Sequence, residues 1–132
     1  MVRKIDAMEL LNYICDKKKY RTVIAYKHYF EEFLEAQEQK VQLKILQTLR
    51  IIEEVELVPI LYLKHIEATD GLYEIRVIFG RKALRVFCFF DGNKLIVLLS
   101  GFLKKKHKTP RIEIERALRL KDEYYKEKET TK

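Results

Sequence analysis

Leu72-Tyr73-Glu74-Ile75-Arg76-Val77-Ile78-Phe79-Gly80-Arg81-Lys82-Ala83-Leu84-Arg85-Val86-Phe87-Cys88-Phe89-Phe90-Asp91-Gly92-Asn93-Lys94-Leu95-Ile96-Val97-Leu98-Leu99-Ser100 is the stretch that decides the fold. It holds three runs rich in β-branched and aromatic residues, Leu72–Phe79, Leu84–Phe90 and Leu95–Ser100. Such residues fit a pleated surface. Gly80-Arg81 and Asp91-Gly92 separate the runs and are tight-turn signals, so an antiparallel meander is predicted. Thr69-Asp70-Gly71 marks the turn that leads into it.

A two-residue turn at Gly80-Arg81 pairs Phe79 with Lys82 and sets Arg76 opposite Arg85. Like charges facing each other across a ladder are unfavourable. Either the side chains reach water, or one meets Glu74 on the same face, or an anion belongs between them. Period-two alternation places Phe87 and Phe89 on the face of Arg85, with Leu98 and Ser100 on the next strand. An extended continuation would add Phe102 and Lys104 to that face. Phe87 is then a core residue or a platform on which an unpaired base could stack.

Upstream, Thr22–Tyr26 reads as a strand. Phe30, Phe33 and Leu34 with Glu31, Glu32 and Glu35 predict a short helix. Val41, Ile45, Leu49 and Ile52 share one face of a second helix that ends near Glu56, before Pro59. Downstream, Pro110 suits a first helical turn, and Ile114, Ala117, Leu118 and Lys121 mark a last helix. The expected fold is α+β: an antiparallel sheet of the N-terminal strand plus the meander, a two-helix hairpin, and a C-terminal helix, with the helices on one face. Residues 5 to 15 are weakly amphipathic, so residues 1–20 are predicted to be an extension, a short helix or an arm. Residues 21–128 form the domain, and 129–132 a disordered tail.

Gly101-Phe102-Leu103-Lys104-Lys105-Lys106-His107-Lys108-Thr109-Pro110 follows the last strand and holds no acid. A solvated face usually mixes signs, so Lys104, Lys105, Lys106 and Lys108 form a cationic tip suited to a nucleic-acid backbone. The side chains of Lys104 and Lys105 are expected to be exposed. The net charge of +7 also favours polyanionic partners. His107 lies inside the tip and could act as acid or base. His28 and His65 read as surface residues, and Glu31, Glu32, Glu53 and Glu54 as solvated helix charges. The two cysteines, Cys15 and Cys88, suggest neither a disulfide framework nor a zinc site, and no metal or other cofactor is expected. No apolar run is long enough to span a bilayer, and the start is too polar for a signal peptide, so a cytoplasmic address without membrane partners is expected. Gly-rich phosphate loops, nucleophile elbows and triads are not found in the sequence.

Val23-Ile24-Ala25-Tyr26-Lys27-His28-Tyr29-Phe30, Gly71-Leu72-Tyr73-Glu74-Ile75-Arg76, Leu84-Arg85-Val86-Phe87, Gly101-Phe102-Leu103-Lys104-Lys105 and Lys108-Thr109-Pro110 occur in order. The set, from about Arg21 to Tyr125, resembles toxins of the RelE/HigB superfamily, in its phage-derived HigB-like branch. The resemblance implies the toxin of a type II toxin–antitoxin system: a ribosome-dependent mRNA endonuclease that enters the ribosomal A site and inhibits translation. In that chemistry the ribose 2′-oxygen attacks the adjacent phosphate, leaving a 2′,3′-cyclic phosphate and a 5′-hydroxyl. Carried over by position, Arg76 and Arg85 would hold the scissile phosphate, and Lys105 or Lys104 would position the backbone or move a proton. Lys104, Lys106, His107, Lys108 and Phe87 would bind RNA. An arginine stays protonated, while a lysine serves as a base only if neighbouring cations depress its pKa. The implied partners are mRNA, the ribosome and a cognate antitoxin, often of helix-turn-helix type. The tyrosine that some RelE-type enzymes carry at the start of the last helix has no counterpart, since Tyr124 and Tyr125 lie too far along. The histidine-rich set of some HigB enzymes is also missing. A ParE-like gyrase inhibitor on the same fold and a non-catalytic nucleic-acid-binding protein are the competing readings. The cations on the sheet count against the first of these.

Overall fold

The computed structural model describes residues 19–105 and 107–130. The predicted helix or arm at residues 5 to 15, and Lys106, lie outside them. The fold is α+β. Strand β1 (Thr22–Ala25) leads into helices α1 (Tyr29–Glu35) and α2 (Gln39–Glu54). Strands β2 (Leu63–His65), β3 (Leu72–Phe79), β4 (Lys82–Asp91) and β5 (Leu95–Lys104) follow, then helix α3 (Arg111–Thr130). Helix α3 takes in Glu129 and Thr130, which the sequence placed in a disordered tail. Residues 131 and 132 lie outside the described residues.

The sheet order is β1-β5-β4-β3-β2. The meander forms in the predicted register, with Phe79 opposite Lys82 and Arg76 opposite Arg85. Gly80 has φ 60° at the first turn position, the left-handed region that a two-residue hairpin turn demands and glycine reaches without a Cβ penalty. Two expectations are corrected. The sheet is mixed, because β1 runs parallel to β5, with Thr22 opposite Leu95 and Ala25 opposite Leu98. Parallel pairing needs a long crossover, which the intervening helices and strands supply. The sheet also gains an edge strand, β2, antiparallel to β3.

The helices cover both faces, not one. Val41, Ile45, Leu49 and Ile52 of α2 pack with Ile75, Val77, Leu84, Val86, Cys88, Ile96 and Leu98. On the opposite face Ala117 and Leu120 of α3 pack with Leu72, Phe87, Phe89, Val97 and Leu99. Central strands buried on two sides read as near-continuous apolar runs, as Val86-Phe87-Cys88-Phe89 does. A sheet of this kind cannot leave one face to water.

An irregularity in the β4–β5 ladder positions the site. Val86 pairs with Gly101, but Cys88 pairs with Leu98, so β5 carries an extra residue opposite Phe87. This bulge corrects the predicted facing. Leu98 points to the α2 side, while beyond the bulge Phe102 lies directly across from Arg85. Gly101 faces α1, where a Cβ would stand 2.5 Å from Cδ2 of Phe33. Glu53 is another correction. It is buried, and its carboxylate accepts a hydrogen bond from the Val23 N–H at 2.9 Å, tying α2 to β1. Glu31 and Glu32 are exposed, as expected.

Candidate functional site

The site begins with Arg76 and Arg85 facing each other on the sheet. Glu74, two residues before Arg76 on the same face, answers the question that pairing raised. Its Oε1 stands 3.7 Å from Nε of Arg85 and 3.9 Å from Nε of Arg76. The chain supplies the anion itself. The two arginines differ in access, however. The Arg76 side chain is 29% exposed, whereas that of Arg85 is only 4% exposed. Arg85 donates from Nη1 to the Leu84 carbonyl at 3.0 Å, but its buried Nε has no hydrogen-bond partner. Burial lowers the pKa of Arg85, Glu74 opposes that shift and Arg76 adds to it. A guanidinium remains charged through all of this. The result is a fixed positive charge under the surface.

Above it lies a cleft of about 520 Å³. Arg76 and Glu74 form one part of its lining, Lys104 another, and His107, Lys108 and Thr109 the wall toward α3. Lys64 and His65 of the edge strand β2 close the opposite side. Burial lowers the pKa of Lys104, and the charges of Arg85, Arg76 and Lys64 push the same way against Glu74. Oε2 of Glu74 accepts a hydrogen bond from the Thr109 hydroxyl at 2.9 Å, joining the sheet to the segment that enters α3.

The structure therefore brings Arg76, Lys104, His107 and Lys108 together over a buried Arg85. Lys105 is exposed and does not line the cleft. Lys104, expected to be exposed, is half-buried. Phe87 is fully buried, its ring stacked on Phe102 with centroids 5.4 Å apart. It has no face left for a base, whereas Phe102 above it is half-exposed. Period-two alternation gave the side on which Phe87 lies but not its depth. Three features escaped the sequence reading: Lys64, the bridging place of Glu74 between both arginines, and the Thr109 contact. Lys64 sits on a strand of only three residues, too short for periodicity to reveal.

Tyr124 and Tyr125 pack at the other end of α3, against Phe89, and the Tyr124 hydroxyl donates to Asp91 at 2.7 Å. They are remote from the cleft lining. A larger hollow of about 630 Å³ lies there, beside Asp70, Tyr73, Phe90 and Tyr125. Its one cation, Lys121, donates to the Asp70 carbonyl. The groove of about 200 Å³ between β1 and α2 is mainly apolar, and Arg50 there pairs with Glu53. Neither gathers cations as the cleft does. Among the described residues no cluster of His, Cys, Asp or Glu could hold a metal ion, and no helix is long and apolar enough to cross a membrane.

No curated protein matches the chain. Residues 32–122, more than half of the sequence, match the family described as phage-derived protein Gp49-like (DUF891), which is a toxin–antitoxin-associated family of RelE-like type. The matched span runs from α1 into α3 and takes in Glu74, Arg76, Arg85, Lys104 and Thr109, so the residues that build the cleft lie inside the family's own span. The chain belongs to the phage-derived Gp49-like family.

Proposed function

We propose that the protein is the toxin of a type II toxin–antitoxin pair, of the HigB-like branch, and that it cleaves mRNA on the ribosome. The observation that carries this reading is the cleft in which Arg76, Lys104 and Lys108 converge above the buried charge of Arg85. An RNA phosphate entering it would meet Arg76 directly. Arg85 acts from beneath, as a preorganised positive field aimed at the charge that develops on the phosphate oxygens. Lys104 is the group suited to move a proton, because its surroundings disfavour its charged form. The 2′-hydroxyl loses its proton as its oxygen bonds to phosphorus. The bond from phosphorus to the 5′-oxygen breaks, and that oxygen takes up a proton. The products are a 2′,3′-cyclic phosphate and a 5′-hydroxyl. The exposed Lys105 serves the backbone outside the cleft. The antitoxin masks the cleft until it is removed, and the toxin acts in the cytoplasm.

The test is an in vitro translation reaction with purified protein, read by primer extension on the mRNA. Cleavage that requires ribosomes is expected, and Arg76→Ala and Lys104→Ala each lower its rate by about 10²-fold. Lys105→Ala has a smaller effect. Intact mRNA together with inhibited supercoiling by gyrase would replace this reading with the ParE-like one. Intact mRNA with tight RNA binding alone would make the protein a non-catalytic binder. Arg85→Ala is a poor first choice, since removing one partner of a buried ion pair costs about 3–5 kcal/mol of stability.

A further inference from the structure

The cationic segment that leads into α3 is held to the sheet at one point: among the described residues from His107 to Pro110, one side-chain hydrogen bond links it there. The Thr109 hydroxyl donates to Oε2 of Glu74 at 2.9 Å. Glu74 is itself immobilised. Its side chain is 7% exposed and its other oxygen faces both Arg85 and Arg76. His107 and Lys108, next to Thr109 in the chain, are exposed and line the cleft. Their distance from Arg76 and Lys104 therefore depends on where Thr109 is anchored.

We propose that Glu74 and Thr109 form a latch that holds the cationic segment over the cleft, with Glu74 as a positioning residue that places Lys108 and His107 relative to Arg76. A carboxylate so deeply enclosed, with both oxygens engaged, has a fixed position from which to hold a loop. It sits at the junction of the segment and the arginine pair, so one side chain sets the geometry of both. The value of such a device lies in entropy: cations already in place need not be ordered when a phosphate arrives. The effect on cleavage rests on the function proposed above, but the latch itself does not.

Three full-length proteins separate the possibilities: wild type, Thr109→Val, which keeps the shape but loses the donor, and Thr109→Ser, which restores it. Limited trypsin digestion, with cut sites located by mass spectrometry, reads the segment directly. Thr109→Val is expected to be cut about tenfold faster within residues 104–111, with rates elsewhere unchanged and Thr109→Ser restored to the wild-type rate. The ribosome-dependent reaction should show a kcat about tenfold lower for Thr109→Val, again recovered by serine. Binding of a 2′-deoxy oligonucleotide, which cannot be cleaved, should lose part of its salt dependence in the valine variant, because fewer lysines are held at phosphates. Wild-type trypsin rates in Thr109→Val, faster cutting across the whole chain, or no recovery with serine would overturn the latch. A trypsin result as expected in a protein that leaves mRNA intact would retain the latch and remove the function proposed above.

Discussion

At the scale of single residues, Lys104 shows how neighbours set chemistry. Burial and the charges of Arg85, Arg76 and Lys64 lower its folded pKa from the ordinary lysine value. Between that lowered value and the ordinary one, the folded chain binds fewer protons than the unfolded chain, so stability rises with pH in that window. The cost of the buried charge is present in full below the folded pKa and is relieved as pH rises through it. Lysine side-chain NMR should find one resonance, absent in Lys104→Met, that titrates below the others. Arg76→Met should move it up and Glu74→Gln further down. A Lys104 that titrates with the surface lysines would remove it from the proposed proton transfer. Gly101→Ala offers a second residue test, since the new Cβ meets atoms of the Phe33 ring at 2.5–2.8 Å. The ring is rigid at those atoms, so a loss of about 1–3 kcal/mol is expected in denaturant unfolding. The facing of Arg76 and Arg85 was legible in the sequence because a two-residue turn fixes register. The depth of Arg85 and Phe87 was not, because depth depends on α3 lying across their face of the sheet.

Among the elements, α3 is the one the sequence reading put on the wrong face of the sheet, beside the helical hairpin and not opposite it. Its stripe of Ile114, Ala117 and Leu118 announces a helix but does not say which face of the sheet receives it. Polar contacts at its far end help to fix it. Asp91 accepts hydrogen bonds at 2.7 Å from both Tyr124 and Lys128, and Tyr26 donates to Glu123 at 2.8 Å. The Lys128 and Tyr124 hydrogen bonds lower the pKa of Asp91. Burial and the bond to Asp91 push Tyr124 up to about 12. A depressed carboxylate gives stability that is present above its unfolded pKa and lost as pH falls through its folded one. Asp91→Asn should therefore lower stability by about 1 kcal/mol at neutral pH, with the difference from wild type vanishing in acid. Thermal melts across that range check this, and a difference that persists in acid would assign the effect to packing. Strand β2 was invisible for another reason. It is held by pairing with β3 and by the bond from the Arg76 N–H to the Tyr62 carbonyl at 2.8 Å, neither of which leaves a local pattern. The bulge in β5 is similar: alternation assumes an unbroken ladder, and nothing in Leu99-Ser100-Gly101 announces the extra residue beyond the glycine.

Across the whole molecule, charge and topology have separate consequences. The net charge of +7 was readable at once, but only the fold shows where it gathers. If Arg76, Lys104 and Lys108 each hold a phosphate, log K for single-stranded RNA should fall with log salt at a slope of about −2. Fluorescence anisotropy in a potassium chloride series measures it, and a slope near zero would mean that the cleft does not grip the backbone. The parallel pairing of β1 with β5 joins Thr22 to Leu95, so β1 has no partner in the sheet until β5 is synthesised. The cleft is late as well, because its walls come from β2 and β3, the end of β5 and the approach to α3. A growing chain thus carries α1 and α2 long before it owns a working surface. Any product that stops short of Thr109 lacks both the closing wall and the contact that holds it. For a protein read as a poison of translation, the order of synthesis is itself a safeguard: the cleft cannot close before Thr109 has been joined to the growing chain.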